Sequence, residues 1–517
     1  MQSEFLQKLL DYYGLDERGY VRLTRLPLFS DIPSLDGHPQ ALKMKKRLEE
    51  ARERGEKLII YGDYDTDGIM SASICKKALK EFGIEAAHYI PSRYLDGYGI
   101  NLENAKKIAK GGYSLVLCVD NGVAAFEALE YLKEQGIDVL IIDHHEIQGE
   151  IAPCHALIHP VSVSYGPYAV SAGYLSFLFS RILLGRDDPY LAMLGGLSTM
   201  SDMMPLLGYN RDLVRMALSY INETHCPQIF ALLDKGKADY NDLKMTLIPA
   251  INAIGRMEED SSINRLVGYF AEPFTDNSLA KANWMKRVNA FRKEETKKAE
   301  AAVEVDESSP SIVVLSDLKE GLNGLLANRL LNQYKKPIAI FSKKKGEEGV
   351  LVGSMRSLEG FDVTGFLNGN RDILLSGGGH QFAGGVSIKE SDLSLFKKRL
   401  DFASLKHQIN PPLERTIEIE LSDINLDNVD IIDTFEPFGQ EWKSPKLLLK
   451  NIQTTNLGFT RDGRFLNRYL PKGPRLFSFN LGERDFVSKS KVDLLGELRR
   501  GEYLGSVYAE LLVSEAN

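Results

Sequence analysis

A chain of 517 residues exceeds the size at which a single hydrophobic core stops growing, so two to four domains are expected. Apolar residues make up 44% and charged residues 26%, the ordinary mixture of a globular protein, which excludes disordered and fibrous readings. The net charge of −8 argues mildly against a nucleic-acid partner, although a cluster of metal-binding carboxylates would account for part of the acidity and basic residues can still line a groove.

The opening MQSEFLQKLLDYYGLDERG is charged throughout, where a signal peptide needs an uninterrupted apolar region. No later stretch reaches the length of a membrane span, so a cytoplasmic protein without membrane contact is expected. Cys75, Cys118, Cys154 and Cys226 lie far apart with no C-x-x-C pair, which disfavours a thiolate zinc site or disulfides and leaves them reduced and structural.

Continuous apolar runs at KLIIYGD (57–63), SLVLCVD (114–120) and DVLIIDHH (138–145) alternate with helical patterns at SASICKKALKEFG and AAFEALEYLKEQG. This is the pattern of βαβ units, and it predicts a parallel sheet covered on both faces in an α/β domain over residues 1–275. From Leu279 to Val305 the sequence lacks Pro and Gly and is dense in charge, predicting a long exposed helix (276–305) that connects domains. Its Lys286, Arg287, Arg292, Lys293, Lys297 and Lys298 could also touch a nucleic-acid backbone. Next come the strands IVVL, PIAIFS, GVLVGSMR, DILLSGGGH and GGVSI, with one helix at GLNGLLANRLLNQYKK, which predict a smaller α/β domain at 306–405. The remainder, 406–517, holds short strands at close spacing (RTIEIELSDI, KLLLKNIQTT, RFLNRYL, RLFSFNLG, KVDLLGELRR, LGSVYAELLVS), suggesting a small β-barrel such as an OB-fold.

Each predicted strand of the first domain ends in acid: Asp63, Asp65 and Asp67, then Asp120, then Asp143 with His144 and His145. Adjacent parallel strands bring their C-terminal ends to one sheet edge, where open α/β folds bind ligands, so these residues should converge. Helix N-capping accounts for one acid of Asp63, Asp65 and Asp67 but not for all of them. Divalent ions would relieve their mutual repulsion, and carboxylates mixed with imidazole suit Mn²⁺ better than Ca²⁺ or a thiolate-seeking metal. Asp202, ending an apolar helical segment, would by itself read as a helix-terminal residue, and the glycines of GGGH as a flexible loop.

GDYDTDG, VDNG, DHH and STMSDMMPL together resemble the successive metal-binding motifs of the DHH phosphoesterases, in the same order and at similar spacings. INAIGRM (251–257), GSMRSLEGFDV (353–363), GGGHQFAGG (377–385) and EPFGQEWKSP (436–445) resemble segments of the RecJ-like branch, so the likeness covers nearly the whole chain. VDNG stands where VDCG is commoner, and EGLNGLLANRLLNQY is more compact than the family's usual stretch.

The resemblance implies a DHH domain, a DHHA1-type substrate-binding domain and an OB-fold-like nucleic-acid-binding domain. It implies two divalent ions, Mn²⁺ ahead of Mg²⁺, held by Asp65, Asp67, Asp120, His144 and Asp202, with Asp120 bridging and with Asp63 and His145 beside them in the catalytic set. Arg256, Ser354, Arg356, Gly378, Gly379 and His380 are implied as contacts to substrate phosphate. The activity implied is two-metal hydrolysis of single-stranded DNA from 5′ to 3′, in repair or recombination, by a monomer. A single-strand binding protein or a helicase is the candidate protein partner.

Two alternatives remain from the sequence. A small-substrate relative acting on oligoribonucleotides or cyclic dinucleotides would ordinarily end soon after the GGGH domain, whereas more than a hundred residues follow it here. A non-enzymatic replication scaffold would have lost metal ligands, and the acidic and histidine positions are all present.

Overall fold

The computed structural model describes residues 3–517 except 98, 148, 162–168, 259–260, 406–414, 471–472, 488 and 504, so the domain boundary expected at residue 406 lies outside the described residues. The chain divides into two compact units, Phe29–Met204 with Asp212–Pro412, and Met1–Leu28 with Pro205–Arg211 and Leu413–Asn517.

The larger unit begins with an all-parallel sheet of β1 (Leu58–Tyr61), β2 (Ala87–Tyr89), β3 (Leu115–Val119), β4 (Asp138–Ile142) and β5 (Ala156–Ile158), in the order β2-β1-β3-β4-β5. Alternate side chains face opposite ways, and both faces are covered. Ile59, Tyr61, Val116, Cys118, Val139 and Ile141 pack with Ala105, Ile108, Leu129 and Leu132 of the helices Leu102–Lys110 and Phe126–Glu134. The helices Thr66–Phe82 and Ala172–Leu184 lie against β1, β3 and β4, and Pro189–Ser201 packs on both of these helices. Such double coverage explains the unbroken apolar runs of β1, β3 and β4. The three-residue strands β2 and β5 were not foreseen, because so short a run carries no readable period.

A second sheet in this unit has β6 (Ile312–Leu315), β7 (Ile338–Lys343), β8 (Val350–Arg356), β9 (Leu374–His380) and β10 (Ala383–Lys389) in the order β6-β7-β8-β10-β9. Only β6 and β7 pair in parallel among the described pairings of this sheet. The connecting helix runs from Asp276 to Ala302, roughly 40 Å at 1.5 Å per residue, and packs on the helices Ile248–Met257 and Asn323–Tyr334. Its buried stripe is Ser278, Ala282, Met285, Asn289, Arg292 and Thr296, spaced alternately four and three apart. Arg292 thus lies on the packed face rather than the solvated one, its Nε donating to Asn289 Oδ1 at 3.0 Å.

The smaller unit carries a six-stranded sheet, β11 (Thr416–Ile419), β12 (Lys446–Gln453), β13 (Asn467–Tyr469), β14 (Arg475–Phe477), β15 (Lys491–Tyr503) and β16 (Ser506–Ala516), in the order β11-β12-β15-β16-β14-β13. The helix Glu4–Tyr13 belongs here, burying Phe5, Leu6, Leu9 and Leu10, with the Tyr13 ring stacked 4.4 Å from Trp442 and 5.1 Å from Phe435. The expected 1–275 domain drew residues 1–28 and 205–211 elsewhere, because an apolar helix face announces that it packs but not against what. No described helix is long and apolar enough to cross a membrane.

Candidate active site

The acids converge at the C-terminal ends of β1, β3 and β4, and each is held by a different local device. After β1 the chain turns at Gly62 and Asp63 into the helix Thr66–Phe82, whose N-cap is Asp65, its Oδ1 accepting from the N–H groups of Asp67 (2.9 Å) and Gly68 (3.2 Å). A side chain at position 68 would have its Cβ 2.4 Å from the Asp63 carbonyl oxygen, so only glycine lets the helix start this close to the strand end. Asp67 accepts from the N–H groups of Ala172 (2.9 Å) and Gly173 (2.8 Å), at the start of the helix Ala172–Leu184, and from the Ser198 hydroxyl (2.6 Å). The helix dipole and these donors fix its carboxylate.

Asp120 follows β3 with a left-handed φ of 62°, an uncommon conformation for a residue other than glycine and one that concentrates at functional sites. Asp143, fully buried after β4, accepts from the backbone N–H groups of Val123, His144 and His145 and from the His145 ring at 2.8 Å. Asp202 caps the C-terminus of Pro189–Ser201 and reaches the same place.

His144 Nε2 is the geometric centre, 3.3 Å from Asp120 Oδ1, 3.5 Å from Asp202 Oδ2 and 3.6 Å from Asp67 Oδ2. Two groups with no residue in common have ligand atoms within 4.8 Å of one another, Asp63, Asp65 and Asp120 on one side and Asp67, His144 and Asp202 on the other. Asp63, which the resemblance put beside the ligands, therefore stands among them geometrically.

The electrostatics show what these groups lack. Burial and then the neighbouring carboxylates push Asp63, Asp65 and Asp120 up, and burial followed by Asp67 and Asp65 pushes Asp202 to about 8. Asp63 Oδ1 is buried without a hydrogen-bond partner. Burial lowers His144, leaving a neutral imidazole suited to coordination. Burial also pulls His145 down, but the Asp143 hydrogen bond and charge outweigh it and hold the imidazolium up at about 9; burial raises Asp143, and His145 in turn brings it to about 2. Carboxylates that repel one another around an orphaned oxygen and a neutral imidazole are a donor set that divalent cations fit.

A cavity of about 160 Å³ opens on these groups and is also lined by Arg93, Asn252 and Arg256. Arg93 lies over the Tyr64 ring at 4.6 Å, and the Arg256 guanidinium, at the end of Ile248–Met257, donates to the Gly321 carbonyl at 3.3 Å. Burial and then the charge of Arg93 lower both Arg256, to about 10, and Arg356, so these guanidiniums are close enough to repel one another. Ser354 precedes Arg356 by two residues on β8 and shares its face.

His380 ends β9 and is not in this cavity. It lines a neighbouring one of about 880 Å³ with Gly378, Gly379, Asn121, His145 and Glu146. A Cβ at Gly379 would lie 2.3 Å from the Ala383 carbonyl oxygen, whereas one at Gly378 would meet no atom within 4 Å and would project into open space.

Sequence reasoning missed Arg93 and Asn252. Asn252 Oδ1 accepts from the Thr66 backbone N–H (2.8 Å) and hydroxyl (2.7 Å), tying INAIGRM to the DYDTDG turn. Arg93 follows the unrecognised β2, and that strand was the one signal that could have brought it to the same sheet edge.

Residues 57–187 match the DHH family, N-terminal domain; 310–403 match the DHHA1 domain; and 416–515 match the RecJ OB domain. The chain is 27% identical over 498 residues to the single-stranded-DNA-specific exonuclease RecJ of Bacillus subtilis (strain 168), covering 91% of this chain and 62% of that relative. It is 30% identical over 396 residues to the protein of that name from Escherichia coli (strain K12), covering 68% of this chain and 67% of the relative. The RecJ structure with Mn²⁺ from Thermus thermophilus shares the fold, with TM-score 0.81 and 22% identity over 99% of this chain and 77% of that one. A structure of exonuclease RecJ bound to manganese aligns with TM-score 0.63 and 25% identity over 74% of this chain and 97% of that one.

Proposed function

The chain belongs to the RecJ family of DHH phosphoesterases, and from that membership we propose that it is a single-stranded-DNA-specific exonuclease, hydrolysing phosphodiester bonds from 5′ to 3′ in repair or recombination. The observation that carries this reading is the pair of ligand groups, His144 of one 3.3 Å from Asp120 of the other, in a cavity also lined by Arg93 and Arg256.

Asp63, Asp65 and Asp120 would hold one divalent ion and Asp67, His144 and Asp202 the other, Asp120 lying 3.3 Å from His144. When bound, such ions supply Lewis-acid polarisation of the attacked phosphate and activation of water. The remaining work falls to the chain itself. Arg256 and Arg356, with Ser354, bind phosphate oxygens and offset the charge that develops as the leaving oxygen departs. Asp143 orients His145 at 2.8 Å, and the open side of Gly378 lets the strand approach the β9 backbone beside His380.

The match of residues 416–515 to a RecJ OB domain favours a substrate of several nucleotides over the small-substrate reading. A monomer as the working form is part of the same proposal. Strand polarity, a cytoplasmic location, Mn²⁺ over Mg²⁺, and delivery of the strand by a single-strand binding protein or a helicase belong to the same proposal and rest on the family likeness. The test is degradation of end-labelled DNA and RNA single strands with each end blocked in turn. DNA blocked at its 3′ end should be degraded and DNA blocked at its 5′ end should resist. Preference for RNA, or for dinucleotides over long strands, would favour the small-substrate reading instead.

A further inference from the structure

Arg93 reaches the cavity of the carboxylates from the loop that follows β2, and its own fastenings are few. The guanidinium lies over the Tyr64 ring and its Nη2 donates to the Tyr64 hydroxyl at 3.3 Å, while its Nε is buried without a hydrogen-bond partner. Its direction therefore depends on the backbone that carries it.

Asp96, three residues on, binds that backbone twice. Its Oδ2 accepts from the Ser92 N–H at 2.8 Å, and its own N–H donates to the Ser92 carbonyl at 2.9 Å, with the Gly97 N–H on the same oxygen at 3.2 Å. That carbonyl belongs to the planar peptide joining Ser92 to Arg93, so the orientation of the peptide is set from Asp96. On the other flank the Tyr94 hydroxyl donates to the Arg256 carbonyl at 2.5 Å.

Asp96 is in turn tied to the scaffold. Its Oδ2 also accepts from the hydroxyl of Tyr89 on β2 (2.7 Å), and its Oδ1 accepts from Nδ2 of Asn104 (3.0 Å), which is 3% exposed on the helix Leu102–Lys110. The same Asn104 Nδ2 donates to the hydroxyl of Tyr61 on β1 at 3.0 Å, and Asn101, the N-cap of that helix, donates through Nδ2 to the Asp96 carbonyl at 2.8 Å. One carboxylate thus joins two strands and a helix N-terminus to the turn that carries Arg93, and it belongs to neither ligand group.

We propose that Asp96 is a positioning residue for Arg93, holding its guanidinium toward the phosphate that is attacked. Asp96 touches neither substrate nor ion; it acts through the Ser92–Arg93 peptide. The proposal rests on the phosphodiesterase reading and on Arg93 meeting a substrate phosphate in the cavity that it lines. A guanidinium is a planar fork, so its direction decides whether two N–H groups can engage one phosphate. A misplacement of about 1 Å can cost on the order of 100-fold in rate.

The experiment measures nucleotide release from a long single-stranded DNA at saturating Mn²⁺, with Mn²⁺ titration calorimetry alongside, for wild type, Asp96→Ala, Arg93→Ala and the double variant. Asp96→Ala should lower kcat/KM on the order of ten- to a hundredfold with Mn²⁺ affinity unchanged. In the Arg93→Ala background it should add no further loss. Asp96→Asn keeps an acceptor for the Ser92 N–H and the Tyr89 hydroxyl, so it should recover most of the lost kcat/KM. A folded Asp96→Ala protein with wild-type kcat/KM overturns the proposal, as does an equal loss in both backgrounds, which would mean that Asp96 serves the fold and not Arg93. Unchanged kcat/KM in Arg93→Ala would overturn its premise, and absence of release by the wild type would overturn the proposed function instead. Should Asp96→Ala not fold, Tyr89→Phe, which removes one donor to Asp96, is read through the same cycle, with a loss of roughly two- to tenfold expected.

Discussion

Asp120 and Asp67 show how differently one kind of side chain is used within a few ångströms. Asp67 spends its oxygens on backbone and hydroxyl donors of two helices, so it is oriented before any ion arrives, while Asp120 sits on strained backbone among carboxylates that raise it. The guanidiniums answer the same logic in reverse. Arg256 is depressed to about 10 by burial and by Arg93, and a phosphate would relieve it. A charge-assisted hydrogen bond is worth roughly 1.5–3 kcal/mol, so Arg256→Ala should lower kcat/KM by about ten- to a hundredfold. Bound Mn²⁺ should be unchanged, because Arg256 belongs to neither ligand group. Calorimetry beside steady-state kinetics checks this, and loss of an ion would show that the residue organises the carboxylates instead.

At the scale of elements, the strand ends were legible because an acid after each of three apolar runs has few explanations other than a shared sheet edge. The β11–β16 sheet was legible in its strands but not in the use of its side chains. Among its basic and aromatic residues, Phe477 is core, and Arg461, Arg464 and Arg468 are exposed, as are the rings of Tyr469 and Phe479. Arg475, by contrast, is committed inside the sheet. It donates to Glu510 at 2.9 Å, Arg499 donates to the same carboxylate at 2.6 and 2.8 Å, and both arginines are register partners of Glu510 on β16. Sequence alternation tells which residues share a face but not that a 2%-exposed glutamate waits between two of them. Glu510→Ala should therefore destabilise the sheet by about 2–3 kcal/mol, below the roughly 3–5 of a fully buried pair because Arg499 is 43% exposed. Phe479→Ala should leave stability nearly unchanged and weaken single-stranded DNA binding by roughly 1–3 kcal/mol if its ring stacks a base. Thermal denaturation and a binding isotherm separate the two; a stable Glu510→Ala protein would refute the assignment of Arg475.

For the molecule as a whole, part of the overall charge of −8 is carboxylate concentrated where cations fit, so the total says little about the charge of any one surface. Domain order along the chain was readable from changes of strand and helix pattern. Spatial grouping was not, because residues 1–28 and 205–211 carry no local mark of the sheet they join. That grouping also bears on how the parts can be separated. A truncation near Gln408 would strip Tyr13 of Phe435 and Trp442, and Arg211 of its acceptors, so it would disturb more than strand binding. The central claim is that phosphodiester hydrolysis occurs at the carboxylates around His144. It is tested most directly by nucleotide release from a long single-stranded DNA, using chelator-treated protein titrated with Mn²⁺, for wild type and Asp120→Ala. Release should be absent without the ion, appear with it in wild type, and stay absent in a folded Asp120→Ala protein at every Mn²⁺ concentration. Wild-type release persisting after exhaustive chelation, or full release by Asp120→Ala, would contradict the account.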